Sequence, residues 1–140
     1  MGLTRVKGFS LWAGEASGLS LVLDEPLSFW GGLDPATGEI IDRHHPQSGS
    51  STTGTILVLP RGRGSSGASS VLAECIRTRS GPAGIVTRET DSMLLIGSLV
   101  AGELYGDRLC PIVVVEEGFE TLVDGRTTHI RPDGIVEQTT

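Results

Sequence analysis

Cysteine is scarce in this sequence: Cys75 and Cys110 are the only two among 140 residues. They form no Cys-x-x-Cys pair and neither has a histidine close to it in sequence, so the chain carries no ligand set for a structural zinc or an iron–sulfur cluster. Both stand at apolar positions and read as buried, reduced thiols. Basic residues are also short, with 11 Lys and Arg against 17 Asp and Glu and a net charge of -6. No segment clusters them, which excludes a surface for duplex nucleic acid. No apolar run approaches the roughly 18 residues that a membrane span needs. Ser10, Gly14 and Glu15 interrupt the first segment where a signal peptide would be continuously apolar, and Val6 stands where a myristoylation pattern needs a hydroxyl. The expected location is therefore the cytoplasm. There is no Gly-Lys-[Ser/Thr], which rules out a Walker phosphate loop, and no internal repeat.

What is present fits a single domain over residues 1–140. Residues 4–12, 18–23 and 55–59 are short, rich in Val, Leu, Ile or Thr, and bounded by Gly, Asp, Pro or Ser, which predicts strands. A polar connector, "WGGLDPATGEIIDRHHPQSGSSTTG", fills residues 30–54, with turns at Asp34-Pro35 and Thr37-Gly38. Its apolar Ile40 and Ile41 are expected to anchor it, and His44 and His45 to lie in a solvated turn. The period then changes. "TILVL" is a strand, and "GASSVLAECIRTR" sets Ala68, Val71, Leu72, Cys75 and Ile76 on one face of a helix. "AGIVT" at 83–87 is a second strand, Asp91 caps a helix over 92–104, and "PIVVVE" is a third strand. Right-handed crossovers make these three strands parallel and put the glycine-rich loop at the carboxyl end of the first. Asp124-Gly125 and Asp133-Gly134 punctuate a tail that returns to β structure. The fold class is α/β: a small β-sheet or partial barrel packed with a β-α-β-α-β parallel layer.

The chemistry concentrates in "LPRGRGSSGASSVL", residues 59–72. The spacing Gly62-x-Gly64-x-x-Gly67 matches a dinucleotide-binding loop, in which Glu89 would bind a ribose hydroxyl. Against this, Pro60 and Arg61 separate the strand from the first glycine, and the strand count supplies half of a dinucleotide fold. A second reading has Ser65 or Ser66 simply capping the helix. A third accounts for Arg61 and Arg63, two guanidinium groups beside a helix N-terminus, as holders of a carboxylate or phosphate next to a reactive hydroxyl. Backbone N–H groups and arginines can stabilise a serine alkoxide enough for it to take a proton from carbon.

The segments "SFWGGLDPATGEIID", "GSSTTGTILVLPRGRGSSGASSVL" and "DSMLLIGSLVAGELYGDRLCPIV" resemble the small subunit of the aconitase X family. The resemblance covers nearly the whole chain and rests on Gly-Gly-x-Asp-Pro-x-Thr-Gly together with Pro-x-Gly-[Arg/Lys]-Gly-Ser. It implies a swivelling β/β/α domain that docks on a large subunit, the iron–sulfur cluster being ligated by that partner and not by this chain. It implies dehydration of a small hydroxy acid: cis-3-hydroxy-L-proline in bacterial members, phosphomevalonate in archaeal ones. By residue, it implies that Ser65 is the catalytic base and that Ser51, Arg63, Gly64 and Ser66 surround the substrate, with no metal ligands. Arg63 and Ser66 resemble the bacterial form, the archaeal pattern having Lys and Thr there. A non-catalytic binding domain would use the same fold without needing Ser65 or Arg63.

Overall fold

The structure, a computed structural model, describes residues 2–63, 66–106 and 109–140; the expectations for Gly64 and Ser65 lie outside the described residues. Strands β1 (Leu3–Lys7), β2 (Phe9–Trp12), β3 (Ala16–Val22), β4 (Ile56–Leu59), β5 (Gly84–Thr87), β6 (Ile112–Val114), β7 (Thr127–Ile130) and β8 (Ile135–Thr139) run in the order β1-β8-β7-β3-β4-β5-β6-β2. Helix α1 is the short Phe29–Gly32, α2 is Gly67–Thr78 and α3 is Ser92–Tyr105. Among the described residues no helix is long and apolar enough to cross a membrane.

The predicted parallel unit of three strands is present as β4, β5 and β6, with Leu57 beside Ile85 and Ile85 beside Ile112, and β3, expected in the separate β-sheet, joins it in parallel along β4. β4, β5 and β6 are buried at every position because both faces are covered. Leu57, Leu59, Ile85 and Ile112 face α2 and α3, where Ala68, Leu72, Cys75 and Ile76 supply the helical stripe read from the sequence. Ile56, Val58, Val86 and Val113 alternate with them and face the other way. There they meet Val6, Ile130 and Val136 from the antiparallel strands β1, β7 and β8, closed at one end by Phe119 and Leu122. The result is three layers, sheet on sheet on helix.

Two corners join the sheets. In β3, Ala16–Leu19 pair with β7 and Ser20–Val22 with β4, so one strand serves both. The second corner corrects the expectation of one strand over residues 4–12. The run breaks at Gly8, sending β1 to pair with β8 and β2 to pair with β6. Gly8 sits hard against β6, where any Cβ would lie 2.5 Å from the Val114 carbonyl oxygen.

The connector is held by one of the two expected anchors and by one that was not expected. Ile40 is buried while Ile41 is 45 % exposed, because in the Leu33–Ile40 bridge alternate residues point to opposite sides. His45 is not solvated. It is buried, with Nε2 3.1 Å from the Glu25 carbonyl and Nδ1 accepting from the Gln47 amide at 3.0 Å, and so pins the turn to the segment after β3. The turn signal in "DRHHPQSG" was real, but it gave no sign of what the turn packs on.

Candidate active site

Where β4 leaves the sheet, the glycine-rich loop is held by two neighbours remote in sequence. The Gly62 N–H donates to Asp91 Oδ2 at 3.1 Å, and a Cβ on Gly62 would collide with that oxygen. The Arg63 N–H donates to the Leu27 carbonyl at 3.1 Å, within a parallel bridge between Leu27 and Gly62. Asp91 is the N-cap of α3, as expected: its Oδ1 accepts from Met93 N at 3.0 Å and Leu94 N at 3.1 Å. Its second oxygen does what the sequence did not disclose, tying the start of the loop to the start of α3 through one carboxylate.

That division of labour can be tested. A serine keeps the capping function but is too short to reach Gly62. Asp91→Ser is therefore expected to leave the melting temperature nearly unchanged while the Gly62 amide exchanges with solvent about tenfold faster or more, the loss of one charge-assisted hydrogen bond. Amide exchange measured by NMR reads this directly, and unchanged protection at Gly62 would contradict it.

At the far end of the loop, Ser66 occupies the N-cap position of α2 but makes no side-chain cap; it has φ -62 and ψ -23, already helical. The reading of Ser66 as a mere helix cap is thereby corrected: a hydroxyl caps from extended backbone, and this backbone has already turned. Its exposed side chain stays at the loop's surface. Beside it the indole of Trp30, 64 % exposed, covers Gly67.

The two arginines part company. Arg61 pairs with Glu89 at 3.6 Å, both side chains more than half exposed, a contact of small energetic weight that nevertheless draws Arg61 away from the helix end. It also engages Glu89, the residue a dinucleotide reading would assign to a ribose. Arg63 is exposed and has no carboxylate partner among the described residues.

Ser51 lies elsewhere. It bridges to Glu39; of its neighbours, Thr52 donates to the Gly38 carbonyl within the connector and Thr53 Oγ1 to the Ser80 carbonyl just past the end of α2. Arg63 and Ser66 stand together at the N-terminus of that helix and Ser51 near its C-terminus, and the helix has 12 residues, so about 18 Å separates the two ends at 1.5 Å per residue. The implied grouping of Ser51 with Arg63 and Ser66 is not reproduced within this chain.

The cavity beside the loop, lined by Leu27, Phe29, Gly62, Arg63, Asp91 and Met93 among others, has about 10 Å³, room for a water and not for a metabolite. A larger cavity of about 300 Å³ lies at the opposite end of the parallel strands, between Thr53, Arg79, Pro82, Leu109 and the two cysteines. Burial pushes the Cys75 thiol up to about 11 and the Cys110 thiol to about 12. Both stay protonated, and their contribution to stability is full below pH 9.0, their ordinary value, and declines as pH rises towards those values. Protonated thiols at the end of the sheet remote from the loop do not fit an iron–sulfur cluster. Among the described residues no three His, Cys, Asp or Glu side chains gather at a common point.

Comparison with known proteins adds the following. Residues 5–138 match the family described as the aconitase X swivel domain. The cis-3-hydroxy-L-proline dehydratase of Pseudomonas aeruginosa is 50 % identical over 113 residues, which is 81 % of this chain and 19 % of that protein. The phosphomevalonate dehydratase small subunit of Methanopyrus kandleri is 48 % identical over 84 % of this chain and 83 % of its own. The chain thus spans about a fifth of the hydroxyproline dehydratases it matches and most of the small subunits. Among solved structures, the crystal structure of Thermococcus kodakaraensis aconitase X in its holo-form superposes with a TM-score of 0.86 at 31 % identity, covering 98 % of this chain and 99 % of that one.

Proposed function

The chain belongs to the aconitase X swivel domain family, and from that membership we propose that it is the small subunit of a hydro-lyase that dehydrates cis-3-hydroxy-L-proline. The observation that carries the substrate is the 50 % identity to the Pseudomonas aeruginosa enzyme of that name. The family is one of iron–sulfur hydro-lyases, and a larger chain would hold the cluster, since the two cysteines here are buried and too few to ligate one.

In this reading Ser65 is the base. Glycines on either side allow the loop to wrap closely on the substrate, and Arg63, with no carboxylate partner among the described residues, receives the substrate carboxylate through two parallel N–H donors. Ser65 takes the proton from the carbon next to that carboxylate. The electron pair left behind forms the ring double bond as the hydroxyl at the neighbouring carbon leaves, and the products are water and an enamine that tautomerises to the cyclic imine. Ser66, exposed beside the loop, and the backbone at Gly64 lie within the same short segment and are assigned to substrate contact. Ser51 joins them only through whatever the larger chain brings to its end of α2. The small volume beside the loop supports a divided site: a substrate needs more wall than the described residues provide there.

A second reading, phosphomevalonate dehydration, draws on the 48 % identity to the Methanopyrus kandleri small subunit. Reconstituting the chain with the larger aconitase X chain of the same organism and assaying both compounds separates them. Faster turnover of cis-3-hydroxy-L-proline is the expected result. Faster turnover of phosphomevalonate overturns the substrate and keeps the hydro-lyase, whereas turnover of neither, in a complex that forms, favours a non-catalytic binding domain.

A further inference from the structure

Helix α3 is built the wrong way round for a helix that ends at solvent. Its buried residues are Leu94, Gly97, Ser98 and Ala101, mostly small. Gly97 brings the helix so close to α2 that a Cβ there would lie 2.8 Å from the Ser69 carbonyl oxygen and 3.1 Å from Leu72 Cβ. The large apolar side chains point away from the protein: Ile96, Leu99, Val100 and Leu104 are 43, 42, 39 and 66 % exposed. Spaced at i, i+3, i+4 and i+8, they form one stripe. Leu109, 51 % exposed, packs beside Gly102 and lengthens it. Other exposed apolar side chains, such as Leu3, Leu19 and Val123, are scattered over strands and loops. Apart from Glu103 the outward face is as apolar as the inward one; a helix apolar on both faces belongs in an interior, and an apolar patch left on the surface of a domain marks an interaction surface.

We propose that this stripe is the surface on which the larger chain of the hydro-lyase docks, an inference that rests on the function proposed above. Two observations select that occupant. Relatives that are small subunits consist almost wholly of this one unit, the match covering 93 % of the Methanocella arvoryzae protein. In the hydroxyproline dehydratases the same unit is about a fifth of one chain. In both cases a much larger body must bear on this fold, and the fold must supply the contact. A second copy of this chain fits less well, because Glu103 lies among the stripe residues and two copies packed α3 on α3 would bring like carboxylates into one apolar contact. Docking here also has a mechanical consequence. The stripe begins five residues after Asp91, whose carboxylate holds Gly62, so a partner clamped on α3 is coupled through one rigid helix to the loop that carries the base.

The test is co-purification of the full chain with the larger aconitase X chain, comparing wild type with Leu99→Glu/Leu104→Glu and with Leu104→Lys alone. Leu19→Glu, at a residue 58 % exposed on β3, is the control. Because the altered positions already face solvent, the isolated variants should melt with the wild type. The double variant should bind the larger chain at least about a hundredfold more weakly, since a carboxylate would have to be buried unpaired, and Leu19→Glu should bind normally. Wild-type binding by the double variant, with the wild-type complex active, overturns the docking surface and leaves the hydro-lyase intact. Failure of the wild-type chain to bind the larger chain overturns both. A dimer of the isolated chain that the double variant abolishes, with binding of the larger chain unaffected, assigns the stripe to a second copy and also overturns the proposal.

Discussion

Ser65→Ala should lower kcat of the assembled enzyme by a factor on the order of a hundred to ten thousand, the usual contribution of a positioned general base, while leaving assembly and melting temperature untouched. The reason for the clean separation is that the loop's position is set elsewhere. Gly62 is fixed by Asp91, Arg63 by the Leu27 carbonyl, and Gly67 lies under Trp30. With the loop held by these anchors on either side, loss of the proposed base is expected to show in turnover and not in the melt. Ser66→Ala, by contrast, is expected to act mainly on KM, since that side chain faces outward and caps nothing. Steady-state kinetics on the reconstituted complex decide the matter. Full activity in Ser65→Ala with an inactive Ser66→Ala would shift the base by one residue.

The second large effect is on folding. Gly8→Ala adds one carbon where the backbone already touches β6: the new Cβ would lie 2.5 Å from the Val114 carbonyl oxygen, 2.6 Å from Val113 Cγ1 and 2.9 Å from Val115 Cγ2. The two valine side chains belong to the core between the sheets and the carbonyl belongs to the β6 backbone, so none of the three can give way cheaply. A cost of about 3 kcal/mol is expected, at the upper end for overpacking, which lowers the melting temperature of a chain this size by roughly 10 °C. Combining it with Val113→Ala should recover only part of the loss, because the Val114 carbonyl remains in place. A thermal melt of the single variant within two degrees of wild type, on the order of 0.5 kcal/mol, would contradict this.

These two positions show what the sequence makes legible. The α2 stripe, the α3 cap and the three parallel strands could be read because each is local: helical periodicity, a capping residue and short apolar runs involve neighbours within a turn or two. Gly8 could not, since "TRVKGFSLW" looks like one strand until β6, more than 100 residues later, is brought against it. The same limit applied at the site. Asp91 was visible as a cap, but its grip on Gly62 crosses 29 positions. The Leu27 carbonyl that holds Arg63 is backbone and leaves no compositional trace. Ser51 is close to the loop in sequence yet lies at the other end of α2, because the non-periodic connector gives no direction of travel.

The corner at Gly8 also imposes an order on the chain's birth. β1 and β2 are made well before their partners: β2 waits for β6, and β1 for β8, whose Glu137 meets Arg5 across 132 positions. The segment from β4 to β6 can meanwhile gather its own helices, its contacts being nearer in sequence. These two strands are therefore among the last of the fold to be enclosed, and their edges stay open until β6 and β8 have been made. Such edges invite pairing with other nascent chains, and a topology dominated by distant contacts closes slowly. Output of this fold in a cell is consequently tied to how long residues 3–12 can be kept from strangers.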